Sequence, residues 1–156
     1  MFGFLKRKKR EILSPVDGSA VSLDQVDDEV FSQRLAGEGV AIIPTDSLFC
    51  APISGVVSKI FSTNHAYSIK SDKDLEVLVH IGLDTVNLKG QGFERLVEEG
   101  DKVEAGEGII RVDLAYLKEN AKDIITPVLI TEESDVKEIA YRLTIVKTKD
   151  MVMEVQ

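Results

Sequence analysis

NHAYSIKSDKDLEVLVHIGLD, residues 64–84, contains both histidines of the chain and decides how the fold is read. In its second half, alternation puts Leu75, Val77, Val79 and Ile81 on one face of a strand and Glu76, Leu78 and His80 on the other. The first set is a core face. His80 therefore emerges beside Leu78 on a face that is partly apolar and partly open. Gly82 follows at once and leaves room for another backbone or a partner to approach. HAYSI is a second short strand, and SDKD is a tight polar connection between the two. Antiparallel pairing of 66–70 with 75–80 brings His65 beside His80, so the spacing of the two histidines is what a hairpin needs to make a pair of them.

The rest of the chain extends this β pattern. Short apolar runs at 16–22, 40–43, 53–61, 108–112, 125–130, 142–147 and 151–155 are separated by Gly, Pro, Asp and Ser. That density of short strands predicts an all-β fold, an antiparallel β-sandwich of the barrel-sandwich hybrid type. One or two short helices are expected within it: Asp113 can cap LAYLKENA, and Ser134 can cap DVKEIAYR. SPVDGSAVSL (14–23) and APISGVVSKI (51–60) share a small-Pro-x-x-Gly-x-x-x-x-aliphatic pattern. Each reads as a turn that launches a strand, which suggests two similar halves.

Composition narrows the function classes. The chain has 156 residues, enough for one domain with a substantial core, and a net charge of −8. The first ten residues, MFGFLKRKKR, are basic and contain no acid, so the remainder is more acidic still. An acidic body repels phosphates, which argues against nucleic-acid binding, and suits docking to basic protein surfaces. Residues 1–11 read as a basic, flexible tail and 12–156 as a single domain. Phe2, Phe4 and Leu5 ahead of the Lys6–Arg10 run fit either a solvated tail or a segment laid on anionic lipid. With no apolar run of spanning length and no signal-like h-region, a cytoplasmic protein is expected, at most peripheral to the inner face of the membrane. Cys50, the one cysteine, sits in SLFCAPI and reads as a buried strand thiol. No glycine begins a GxGxxG or GxxxxGK[ST] pattern, so no phosphate-cradling loop is supported.

A histidine pair can do three things here. A zinc hydrolase using His65 and His80 needs a third ligand, for which Asp72 or Asp84 is available, but HExxH is absent. Serine-type hydrolysis lacks a nucleophile elbow. The third possibility is that an imidazole nitrogen carries a phosphoryl group. Its other nitrogen must then be fixed by a hydrogen bond, and a second histidine or the Thr63 hydroxyl can donate to the phosphoryl oxygens. A shallow apolar rim is also required, so that donor and acceptor proteins reach the same nitrogen.

VFSQRLAGEGVAIIPT (30–45), APISGVVSKIFSTNHAYSI (51–69), VLVHIGLDTVNLKGQGF (77–93) and EEGDKVEAG (98–106), taken together, resemble the glucose-type enzyme IIA of the bacterial phosphoenolpyruvate-dependent sugar phosphotransferase system. The resemblance runs from about residue 12 to the C-terminus. It implies a compact antiparallel sandwich in which His80 accepts phosphate on Nε2 from the histidine-containing phosphocarrier protein. His80 then passes it to a cysteine of a sugar-specific IIB domain. It implies a supporting role for His65, active-site positions for Thr63 and Asp84, and a docking rim at Val30, Phe61, Leu78 and Val86. No cofactor is required, and a monomer is expected. In enteric members the unphosphorylated form also binds permeases and glycerol kinase, and in one complex the two histidines share a zinc ion with the partner. Leu78 replaces a common aromatic and Ala36 a larger aliphatic, and the short basic tail is unlike the enteric one. The alternative is a biotinyl- or lipoyl-like carrier module, for which Lys73 at the hairpin tip would be the attachment point.

Overall fold

The computed structural model describes residues 8–72 and 74–156. The strands run β1 (Arg10–Leu13), β2 (Gly18–Ser22), β3 (Glu38–Pro44), β4 (Leu48–Cys50), β5 (Gly55–Ile60), β6 (Ala66–Lys70), β7 (Glu76–His80), β8 (Phe93–Arg95), β9 (Lys102–Val103), β10 (Gly108–Val112), β11 (Thr126–Ile130), β12 (Ile139–Tyr141), β13 (Ile145–Val146) and β14 (Met151–Val155). Two short helices interrupt them, α1 (Glu29–Ser32) and α2 (Leu114–Asn120). All the pairings are antiparallel. An eight-stranded sheet ordered β13-β2-β3-β11-β7-β6-β5-β9 packs with the three-stranded sheets β4-β10-β8 and β1-β14-β12 into the expected β-sandwich.

The repeat noticed in the sequence is a structural one. Leu13 N–H donates to Pro52 O (2.9 Å), and Cys50 N–H, at the equivalent position of the second copy, donates to Pro15 O (2.7 Å). The two turns thus clasp each other reciprocally. Gly18 and Gly55, one per copy, press against a neighbouring strand: an added Cβ would lie 2.1 Å from Ile43 O and 2.3 Å from Lys70 O. Neither position has room for a side chain.

The strand alternation holds. Leu75, Val77, Val79 and Ile81 are buried in the main core with Tyr67, Ile69, Phe49 and Ile110. A smaller second core lies on the opposite, outer face of the sheet. There Leu23, Val26 and Phe31 from the 23–36 connection cover Ala41, Leu83, Ile125 and Leu129. Burying those apolar side chains fixes α1 over the sheet, although four residues are too few for a helix stable by itself. Asp28 caps it, accepting from Val30 N–H at 2.9 Å.

Three local expectations change. Asp113 caps α2 as predicted, accepting from Tyr116 N–H, but Ser134 starts no helix. Its hydroxyl accepts from Glu76 N–H at 2.9 Å, and Ile139–Tyr141 pairs with β14 instead. Backbone pairing to a neighbour outcompetes a marginal helix of about two turns. The run 142–147 is a strand only at Ile145–Val146. Arg10 and Glu11, assigned to the tail, belong to β1 and pair with Val155 and Glu154. The tail's Met1–Arg7 and the hairpin residue Lys73 lie outside the described residues. Among the described residues, no helix is long and apolar enough to cross a membrane. Cys50 is a buried thiol, its pKa pushed up to about 11, mainly by burial.

Candidate functional site

β6 and β7 form the predicted hairpin, with Ala66 opposite His80 and Lys70 opposite Glu76. His65 immediately precedes β6, and its carbonyl accepts from Ile81 N–H at 2.7 Å. The two imidazoles meet edge to face with centroids 5.1 Å apart. His80 is half-buried, at the margin of the second core, with the Phe31 ring 5.0 Å away. His65 is 4% exposed and packs edge-on against Phe61 at 5.4 Å.

Each ring has one nitrogen committed. His80 Nδ1 lies 2.7 Å from the Gly82 carbonyl. A carbonyl can only accept, so Nδ1 carries the proton and Nε2 keeps its lone pair. Gly82 provides that carbonyl from a left-handed conformation, φ +75°, where a Cβ would lie 2.8 Å from both Asp123 O and Thr85 Cγ2. The next residue docks the loop, Leu83 N–H donating to Asp123 O at 2.9 Å. His65 Nδ1 lies 2.5 Å from Thr63 Oγ1. If that hydroxyl donates, the Nε2 proton of His65 is the one left for a neighbouring oxyanion.

Burial dominates the electrostatics of both rings. It pushes His65 down to about 4, with His80 adding a smaller effect in the same direction. His80 is also lowered, chiefly by burial, while the Gly82 carbonyl and the carboxylates of Asp28 and Asp84 oppose the shift. Both imidazoles are therefore neutral at pH 7, and His80 presents an unprotonated Nε2.

Most of the predicted residues converge. Thr63, His65 and His80 are in contact, and Asp84, in a left-handed conformation after Gly82, acts on His80 through its charge. Val30, Phe61 and Val86 are exposed apolar side chains. Leu78 is half-buried and packs against the second core rather than standing free. Asp72 lies past the opposite end of the hairpin: Lys70, the last paired residue of β6, is already about four strand residues or ~13 Å along from His80, and Asp72 follows it. Among the described residues, no three His, Cys, Asp or Glu side chains gather as a metal set. The self-contained zinc centre with Asp72 or Asp84 is thus not assembled; the histidines alone offer two of the four ligands tetrahedral zinc takes. Sequence reasoning missed Asp28, Phe31 and the role of the Gly82 carbonyl. The D-x-x-F spacing in VDDEVF was the available signal, since a capping Asp puts the following Phe on the buried side of a short turn.

Comparisons with known proteins identify the family and the fold. The family model described as phosphoenolpyruvate-dependent sugar phosphotransferase system, EIIA 1, matches residues 10–136. The chain is 44% identical over 138 residues to the PTS system glucose-specific EIIA component of Borreliella burgdorferi, covering 88% of this chain and 73% of that protein. It is 48% identical over 125 residues to the PTS system N-acetylglucosamine-specific EIICBA component of Escherichia coli, covering 80% of this chain and 19% of that longer protein. The solved structure of glucose permease IIA from Mycoplasma capricolum superposes with a TM-score of 0.90 at 37% identity, covering 95% of this chain and 96% of that one. With its β-sandwich and paired histidines, the chain belongs to the EIIA 1 family of the phosphoenolpyruvate-dependent sugar phosphotransferase system, as a phosphocarrier component of sugar uptake.

Proposed function

We propose that His80 Nε2 is the atom that carries the phosphoryl group. The observation that carries this reading is the 2.7 Å contact from His80 Nδ1 to the Gly82 carbonyl, which leaves Nε2 as the nucleophile. In the forward step the Nε2 lone pair attacks the phosphorus of a phosphohistidine on the histidine-containing phosphocarrier protein. The new N–P bond forms as the donor's N–P bond breaks, and the donor imidazole leaves with the bonding pair. Positive charge that develops on the His80 ring is stabilised through Nδ1–H by the Gly82 carbonyl. His65 supports the transfer by donating Nε2–H to the equatorial oxygens, with the Thr63 hydroxyl holding its tautomer. In the onward step a cysteine thiolate of a sugar-specific IIB domain attacks the same phosphorus and His80 leaves as the neutral ring.

Val30, Phe61 and Val86 form an apolar rim on which both partners dock in turn, with Leu78 behind it. Asp28 and Asp84 beside the nucleophile favour basic partner surfaces. Relatives named for glucose and for N-acetylglucosamine share this domain, which fits a sugar choice that lies in the IIB partner. The protein acts as a monomer in the cytoplasm, at most peripheral to the inner face of the membrane. The unphosphorylated form can also meet regulatory targets, such as permeases or glycerol kinase. A zinc ion would enter only there, held by His65, His80 and ligands from the partner.

The test is to incubate the protein with phosphoenolpyruvate, enzyme I and the histidine phosphocarrier. Acid-labile, base-stable phosphate is expected on wild type and absent from His80→Ala. Stoichiometric label on His80→Ala would overturn the assignment.

A further inference from the structure

The turn that presents Thr63 and His65 is braced from another sheet. Within the turn, Phe61 N–H donates to Ala66 O (3.0 Å) and Asn64 N–H to Phe61 O (2.7 Å). Asn64 takes a left-handed conformation, φ 60°. Across it lies Arg95, the last residue of β8, which belongs to the β4-β10-β8 sheet and pairs with Ile110. Arg95 Nε–H donates to Asn64 Oδ1 at 2.8 Å, and Nη2 reaches Phe61 O at 3.5 Å. Nη1 meets Glu98 at 3.2 Å. The planar guanidinium fork can hold an amide oxygen, a backbone carbonyl and a carboxylate at once, which an ammonium on a flexible stem does less well.

We propose that Arg95, acting through Asn64, is a positioning residue for the His65–Thr63 half of the phosphoryl-transfer site. The inference rests on the reading of His80 as the phosphoryl acceptor. Arg95 is committed to the turn and to Glu98, so it touches no reacting atom. Its effect runs through three side chains on the turn: Thr63, whose hydroxyl meets His65 Nδ1; His65, whose Nε2–H must lie on the phosphoryl oxygens; and Phe61, which walls His65 and forms part of the rim. His80 touches this turn through the His65 ring and the Ile81 N–H to His65 O bond, but its own Nδ1 is fixed by β7 and the Gly82 loop docked on Asp123, away from Arg95. Loss of the brace should therefore disturb one half of the site and spare the other. Misplacing a catalytic group by about 1 Å can slow a step on the order of a hundredfold, and a loosened turn should fall short of that, at about tenfold.

The experiment uses the full chain as wild type, Arg95→Met, Arg95→Lys and Asn64→Gly. Asn64→Gly keeps the left-handed backbone and removes only the amide acceptor, so it tests the brace if Arg95→Met proves unstable. Three quantities are read: the pH titration of the His65 ring nitrogens by NMR, the stoichiometry of phosphate on His80, and the rate of onward transfer to a purified glucose-type IIB domain. In Arg95→Met and Asn64→Gly, His65 is expected to titrate closer to an ordinary histidine, because its burial loosens. Onward transfer falls about tenfold while His80 still fills with phosphate, and Arg95→Lys recovers part of the rate. An unchanged His65 titration together with onward rates close to wild type in both variants overturns the proposal. Wild type that takes no phosphate on His80 defeats the functional reading instead. The His65 titration still reports, separately, whether the brace exists.

Discussion

Gly82→Ala is the substitution that best joins fold to chemistry. Two effects add at this position. An alanine held at φ +75° is strained by about 1–2 kcal/mol relative to glycine. Its Cβ would also lie 2.8 Å from the Asp123 carbonyl oxygen, which is already held by Leu83 N–H. Relief requires the loop to move and weakens that hydrogen bond, at about 1 kcal/mol. The expected loss is about 2–3 kcal/mol, or a fall in Tm of roughly 4–12 °C for a chain of this size. Gly100→Ala is the control. Gly100 also has a left-handed φ, +92°, but nothing lies within 4 Å of the place its Cβ would take. It should lose only the conformational part. The same loop movement draws the Gly82 carbonyl off His80 Nδ1, so Gly82→Ala should also shift the His80 ring toward mixed tautomers and slow phosphate uptake, whereas Gly100→Ala should do neither. Thermal unfolding and ring-nitrogen NMR on the two variants check this. If Gly82→Ala loses no more stability than Gly100→Ala and leaves the His80 tautomer unchanged, the reasoning about the loop is wrong.

Further outcomes follow from the same geometry. His65→Gln should still accept phosphate on His80 but pass it on slowly, because the nucleophile stays while the charge-stabilising donor changes; normal onward transfer, timed with a IIB acceptor, would demote His65 to a bystander. His65 also sets a pH dependence of stability. Its folded value near 4 lies below the ordinary histidine value of 6.5, so between those pH values the unfolded chain binds a proton that the folded one does not. Stability is then fully present above about pH 6.5 and falls toward pH 4, by up to about 1.4 kcal/mol per pH unit for one proton. Urea unfolding at several pH values should show this slope in wild type and a shallower one in His65→Gln. Phe31→Ala should lose about 3 kcal/mol or more, because the ring is 7% exposed in the second core. It should also let the His80 pKa rise as burial is relieved, which an NMR titration would register.

The parts of this fold that the sequence made legible are those with a period. Alternation through Leu75–Ile81 placed His80 on the outer face, and the hairpin followed from it. The paired Pro-x-x-Gly segments proved to be reciprocal clasps because the same sterics act in both copies. What stayed hidden has no period. Glu29–Ser32 is a single helical turn, held by packing Phe31 on the second core rather than by propensity, and so Phe31 and Asp28 went unassigned. Leu78 looked like a free rim residue, but it packs against the second core, to which a connection more than forty residues upstream contributes Leu23, Val26 and Phe31. Ser134 had the chemistry of a helix cap and was used to tie down β7 instead. The Gly82 carbonyl is invisible to any side-chain motif, since the group that fixes the His80 tautomer is backbone. The brace from Arg95 to Asn64 joins residues of different sheets with no local pattern linking them.

The most direct test of the central claim is to locate the phosphate on the His80 ring. Wild-type protein labelled with nitrogen-15 in its histidines is phosphorylated through the upstream carrier and followed by phosphorus and nitrogen NMR. One phosphohistidine is expected, with phosphorus coupled to Nε2 of His80, Nδ1 still protonated toward Gly82, and His65 unmodified. Phosphorus on Nδ1 of His80, or on His65, would contradict it.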